Sequence, residues 1–125
     1  MSVDFDTAIL CGIEAHACVL QTAIDLLSQG VHVYIVVDAV SSRSMTDRFA
    51  WGRAFDRQSR RPSFRFYAFD HMRQAGARLT TFESIVLQLA RDASHPKFKQ
   101  LQQLIKTSAA DTGLVALHSM PASSL

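Results

Sequence analysis

Residues 8–13 (AILCGI) form a short apolar run with no polar residue at every second position. That pattern predicts a parallel strand covered on both faces. It ends at Gly12 and Ile13. Then the period changes. Ala15, Cys18, Val19, Thr22, Ala23, Leu26 and Leu27 fall three and four apart and mark one face of an α-helix, with Gly30 at a C′ position beyond its end. Residues 32–37 (HVYIVV) are a second covered strand that ends at Asp38. Strand, helix and strand within about 30 residues predict a right-handed βαβ unit.

Further along, residues 67–76 continue a helical pattern, and 78–81 read as a short third strand. Thr80 with Glu83 forms a capping box before a helix over 84–91. Ser94, His95 and Pro96 open another helix, with proline in its first turn and Phe98, Leu101, Leu104 and Ile105 as its stripe. His95 is read as a helix-entry residue, not a ligand. Residues 107–125 are small and polar, include Pro121, and read as a loose tail. There are no internal repeats and no interdomain linker. One domain over 1–106 is expected.

The candidate chemistry lies where the first strand meets the first helix. A cysteine in the opening turn of a helix sits among N–H groups carrying partial positive charge, which favour thiolate over thiol. The same groups can stabilise an oxyanion. From spacing alone Cys18 is equally well a small buried hydrophobe on the packed face. Cys11, in mid-strand, reads as a buried inert thiol. His16 is two residues from Cys18, and side chains two apart on a helix do not face each other, so it reads as a polar residue at the helix entrance. Two cysteines seven apart with one histidine make no metal spacing. Neither a metal nor a cofactor is expected.

At this point the residues resemble a known family. GIEAHACVLQTAIDLLSQGVHVYIVVDAVSSRS resembles the nucleophile region of the isochorismatase-like cysteine hydrolases, which include nicotinamidases. RQAGARLTTFESIVLQLARDASHPKFKQLQQLIK is similar to the animal isochorismatase domain-containing proteins, type 2 in particular. Gly12, Cys18 and Thr22, together with SSRS and HPKF, carry the resemblance. It implies a three-layer α/β/α fold on a parallel sheet. It implies Cys18 as nucleophile, a cis peptide at Ile13–Glu14, and the backbone N–H groups of Glu14 and Cys18 as the oxyanion hole. The family also uses an Asp at the end of a first strand and a Lys after a middle strand, both well before the cysteine. Only seventeen residues precede Cys18, and the lysines are Lys97, Lys99 and Lys106, all late in the chain. Neither role is carried over. The expectation is an incomplete fold, its N-terminal half missing, starting at an alternative methionine and inactive as written.

One block departs from the resemblance. Residues 50–66 (AWGRAFDRQSRRPSFRF) interrupt a helix that would run from SSRSMTDRF into YAFDHMRQAGA, with Ser44 near its N-cap. RF recurs at residues 48 and 49 and at 65 and 66, so removing seventeen residues restores the register. The block reads as an insertion from altered exon joining. Its five arginines against one aspartate give +4; the whole chain is +2, so the remainder is −2. Arginines with Trp51, Phe55, Phe64 and Phe66 invite a nucleic-acid reading. Pro62 and the serines favour a solvated loop, and nucleic acid is not the expected partner.

No apolar run approaches the ~20 residues of a membrane span, and Asp4 and Asp6 interrupt any signal-peptide pattern. Two cysteines fit a reducing compartment. These features point to the cytoplasm, with the nucleus or mitochondrion left open. Two function classes remain: a cysteine hydrolase acting on a small molecule not named by the sequence, and a noncatalytic protein-interaction module. A bare strand edge predicts self-association or a protein partner.

Overall fold

The computed structural model describes residues 4–42 and 64–107. Three parallel strands, β1 (Thr7–Ile13), β2 (His32–Ser41) and β3 (Arg78–Thr80), lie in the order β1-β2-β3. A π-helical turn (Ala15–Val19) leads into α1 (Leu20–Ser28). Helix α2 (Phe64–Gln74) precedes β3, and α3 (Phe82–Ala90) and α4 (Phe98–Lys106) follow it. Val33, Ile35, Val37 and Val40 of β2 face α1 and α2, where they meet Ala23, Ala68, Phe69 and Met72 in one buried cluster. Helix α3 packs on β2 from the opposite face, and α4 packs on α3. The fold is α/β, with a parallel sheet between two helical layers.

Both helices on the first face end as their glycines require. Gly30 (φ +82°) lets its own N–H reach the Leu27 carbonyl and the Val31 N–H reach that of Leu26. Gly76 (φ +111°) repeats the motif with Arg73 and Met72. Each pair of bonds satisfies carbonyls that the last turn would leave orphaned.

The ladder between β1 and β2 is irregular. Leu10 pairs with Ile35 but Gly12 pairs with Val40, so two steps along β1 match five along β2. Strand β2 therefore runs to Ser41, four residues past the expected end at Val37. The extra residues let Val40 rejoin the face that Val33, Ile35 and Val37 occupy.

Several expectations are corrected. Strand β1 is not covered on both faces. Ile9 is 40% and Ile13 66% exposed, and Cys11 is exposed rather than buried. The reason is position: β1 is an edge strand, and α3 packs on β2. Helix α3 is capped one residue later than expected. Thr81, not Thr80, accepts from the Ser84 N–H at 3.3 Å. Helix α4 starts at Phe98, beyond Pro96, and none of its residues is buried; Leu104 is 59% exposed. His95 does act at that helix entry, accepting from the Lys97 N–H through Nδ1 at 3.2 Å. Helix α2 begins at Phe64, so the last three residues of the arginine-rich block share its helical backbone. The expected Ser44 cap, the rest of that block and the tail from 108 lie outside the described residues. Among the described residues no helix is long and apolar enough to cross a membrane.

Two predictions follow from the packing and the turns. Met72 is fully buried in the main cluster, so Met72→Ala should lower unfolding free energy by about 2–5 kcal/mol, read from chemical denaturation. In the turn between α3 and α4 the Ser94 hydroxyl, then the Ser94 N–H, stabilise the Asp92 carboxylate and lower its pKa, with His95 adding to the effect. A lowered folded-state value means the contribution is complete above the ordinary 3.8 and is lost as pH falls through the folded value. The Ser94 amide resonance should therefore titrate with a midpoint below 3.8.

Candidate active site

Strand β1 leaves the sheet at its C-terminal edge, the edge at which ligands bind in open parallel sheets. Gly12, at φ +116°, adopts a conformation that L side chains rarely enter. The next peptide, Ile13–Glu14, is cis. Glu14 then stays extended (φ −107°, ψ 139°) while its carbonyl accepts the N–H groups of Ala17 and Val19. The bond from Val19 spans five residues, so the helical segment opens as a π-turn, a form that recurs at functional sites.

That turn changes which side chains are buried. Ala15, Val19 and Ala23 pack inward as the periodicity predicts, and Leu20 joins them. Cys18 and Thr22 do not. The wider turn carries Cys18 off the packed face, and its thiol is exposed. The reading of Cys18 as a buried hydrophobe is overturned. An exposed thiol in the first turn of a helix, at the ligand-binding edge of a parallel sheet, can meet a substrate.

His16 takes part in a different set of contacts. Its Nδ1 is hydrogen-bonded to the Ser42 hydroxyl at 3.2 Å, and its Nε2 lies 3.6 Å from a Glu14 carboxylate oxygen. Ser42 is 1% exposed and stands directly after β2. The imidazole thus ties the end of β2 to the helix entrance. Among the described residues no side chain hydrogen-bonds to the Cys18 sulfur. Sequence reasoning gave Ser42 no role. It lies in the SSRS motif, which was a signal, but a histidine partner 26 residues away is visible only once β1 and β2 are paired.

Asp38 performs a second joining task. Its carboxylate accepts the Phe82 N–H at 2.8 Å, fixing the start of α3 to β2. An anion suits that position because the first N–H groups of a helix lack internal partners. Arg78 donates to the Tyr34 hydroxyl at 2.9 Å and lies over the Tyr34 ring. An apolar cavity of about 310 Å³ lies between α3 and α4, lined by Leu87, Phe98 and Ile105 among others. Cys18 is not part of its lining. Among the described residues no group of three or more His, Cys, Asp or Glu could hold a metal.

Comparison with known proteins places this geometry in a family. The Isochorismatase domain model matches residues 3–84. Isochorismatase domain-containing protein 2A of Mus musculus is 48% identical over 111 residues, covering 89% of this chain and 46% of that protein. Isochorismatase domain-containing protein 2 of Homo sapiens is 47% identical over the same length. Among solved structures, the MAR1 ribonuclease from Caenorhabditis elegans superposes with a TM-score of 0.68 at 49% identity. That match covers 96% of this chain and 51% of that one. A putative MAR1 ribonuclease from Leishmania donovani gives 0.64 at 33% identity. The chain spans about half the length of the curated relatives it matches. On the family match, the identity to these relatives and the shared fold, the chain belongs to the isochorismatase-domain family.

Proposed function

We propose that this chain carries the nucleophile region of a small-molecule cysteine hydrolase of the isochorismatase type. Cys18 is the nucleophile in this reading, and the N–H groups of Glu14 and Cys18 receive the developing oxyanion. The observation that carries it is the exposed Cys18 thiol in the opening helical turn beyond the C-terminal end of β1. In such a site the thiolate sulfur attacks a substrate carbonyl carbon. Charge moves onto the carbonyl oxygen, and positioned N–H donors lower the energy of that state.

A nucleophile of this kind also needs a base for its proton and a group to orient it. The contacts described for His16 run to Ser42 and Glu14, and none reaches the Cys18 sulfur. The 125 residues hold no position matched to the family's aspartate and lysine. In the proposed reading they therefore supply the nucleophile and not the complete catalytic unit. A second reading, a noncatalytic interaction module, is favoured by the apolar residues exposed along β1.

Iodoacetamide should modify Cys18 several-fold faster than Cys11 at neutral pH, because both are exposed but only Cys18 lies at a helix entrance. Comparing the Cys11→Ser and Cys18→Ser variants by intact-mass kinetics measures this. Equal rates would remove the activated-thiol reading. The 125-residue polypeptide alone should show no Cys18-dependent turnover of a panel of small amides or of an RNA oligonucleotide. Loss of one member of a catalytic unit costs orders of magnitude in rate. Turnover that disappears in Cys18→Ala would show that the unit is complete.

A further inference from the structure

The turn between α3 and α4 holds residues that the active-site reading does not use. Residues 91–97 (RDASHPK) are all exposed. Their backbone bonds are local. The Asp92 N–H donates to the Ala90 carbonyl, the His95 N–H to that of Asp92, and the Phe98 N–H to that of His95. The Lys97 N–H donates to His95 Nδ1. None of these bonds crosses to the sheet, α1 or α2. Helix α4, beyond the turn, has no buried residue and packs on α3. The turn and the start of α4 can therefore open while the cluster of β2, α1 and α2 stays packed.

Ser94 stands in the middle of this turn. Arg91 precedes it by three residues and Leu89 by five, and Phe98 follows by four. Arg91 is exposed at the end of α3, where its φ of +67° turns the chain out of the helix. Leu89 is 67% exposed. Serine kinases choose acceptors by such patterns of charge and apolar residues around the hydroxyl. Among the described residues one other hydroxyl has an arginine three before it, Thr81 with Arg78. Both of those are engaged: Thr81 caps α3, and Arg78 is held on Tyr34.

We propose that Ser94 is a phosphoacceptor for an arginine-directed serine kinase, and that its phosphate loosens α4 from α3. In the transfer Ser94 Oγ attacks the γ-phosphorus of ATP. The new O–P bond forms as the bond to the β–γ bridging oxygen breaks, ADP leaves, and the hydroxyl proton passes to the kinase's carboxylate base. Before modification the hydroxyl and the N–H of Ser94 both donate to the Asp92 carboxylate. Phosphoserine has lost that O–H donor and sets a charge of about −1.5 to −2 beside the carboxylate. Repulsion drives it from Asp92 toward Arg91 and Lys97, the cations of the same turn. The bond that shapes the turn is lost, and α4 has no buried side chain to hold it in place. Cys18 chemistry plays no part in this modification, so each can fail without the other.

The test incubates the whole 125-residue chain with magnesium ATP and the catalytic domain of AMP-activated protein kinase, which reads this pattern around its serine. Fragmentation mass spectrometry should place phosphate on Ser94, counted separately from Ser63, which Arg60 precedes by three residues. Arg91→Ala should slow labelling of Ser94 about tenfold or more, while Arg78→Ala leaves it unchanged. Circular dichroism of each variant, matched to the parent, separates lost recognition from lost folding. In the phosphorylated chain the amides of α4 should exchange with deuterium about tenfold faster than in the unmodified chain, with those of β2 unchanged. That comparison needs no variant. Absence of phosphate at Ser94, labelling that is equally fast in Arg91→Ala, or unchanged exchange in α4 after labelling would overturn the proposal.

Discussion

Strand β2 is the element on which the rest depends, because among the described strands it alone has a neighbour on each side. Val33, Ile35 and Val37 project toward α1 and α2, and Val36 is buried outside that cluster. Parallel pairing fixes more than packing. It brings the end of β2 alongside the end of β1, so Val40 and Ser41 register with Gly12 and Ile13. The next residue, Ser42, then reaches His16. The helix entrance that presents Cys18 is thus held by backbone pairing on one side and by a partly buried hydroxyl–imidazole contact on the other. The two-against-five mismatch in the ladder is what gives β2 the length to do this.

Strand β1 shows how burial depends on neighbours more than on composition. Its apolar content equals that of a covered strand, and on β2 the same kind of sequence is buried. At the edge it leaves Ile9, Cys11 and Ile13 exposed. The chain spans about half the length of the curated relatives it matches. The helical layer on the α3 side has a similar character. Helix α4 presents its stripe only partly to α3, leaving Leu104 largely exposed.

The arginine-rich block bears on the fold through α2. The helix runs back through Arg65 and Phe66 to Phe64. Ala68, Phe69 and Met72 of the same helix reach the core.

Local signals in the sequence were enough to determine the elements. Unbroken apolar runs placed β1 and β2, and a period of 3.6 placed α1, to within a few residues, and Gly30 marked its C′ position because only a positive φ closes that turn. The family, and with it the parallel sheet, was legible from the run around Gly12, Cys18 and SSRS. The misses share one cause. Whether Cys11 is buried, whether Cys18 faces the core or solvent, how far β2 extends, and which hydroxyl His16 meets are set by residues distant in the chain. A periodicity assumes a regular helix, and the π-turn breaks that assumption at the residue that matters most. Apolar patterns state which side chains favour burial. Only the tertiary arrangement, with β1 at the edge and two strands of unequal length in register, decides which of them find a neighbour.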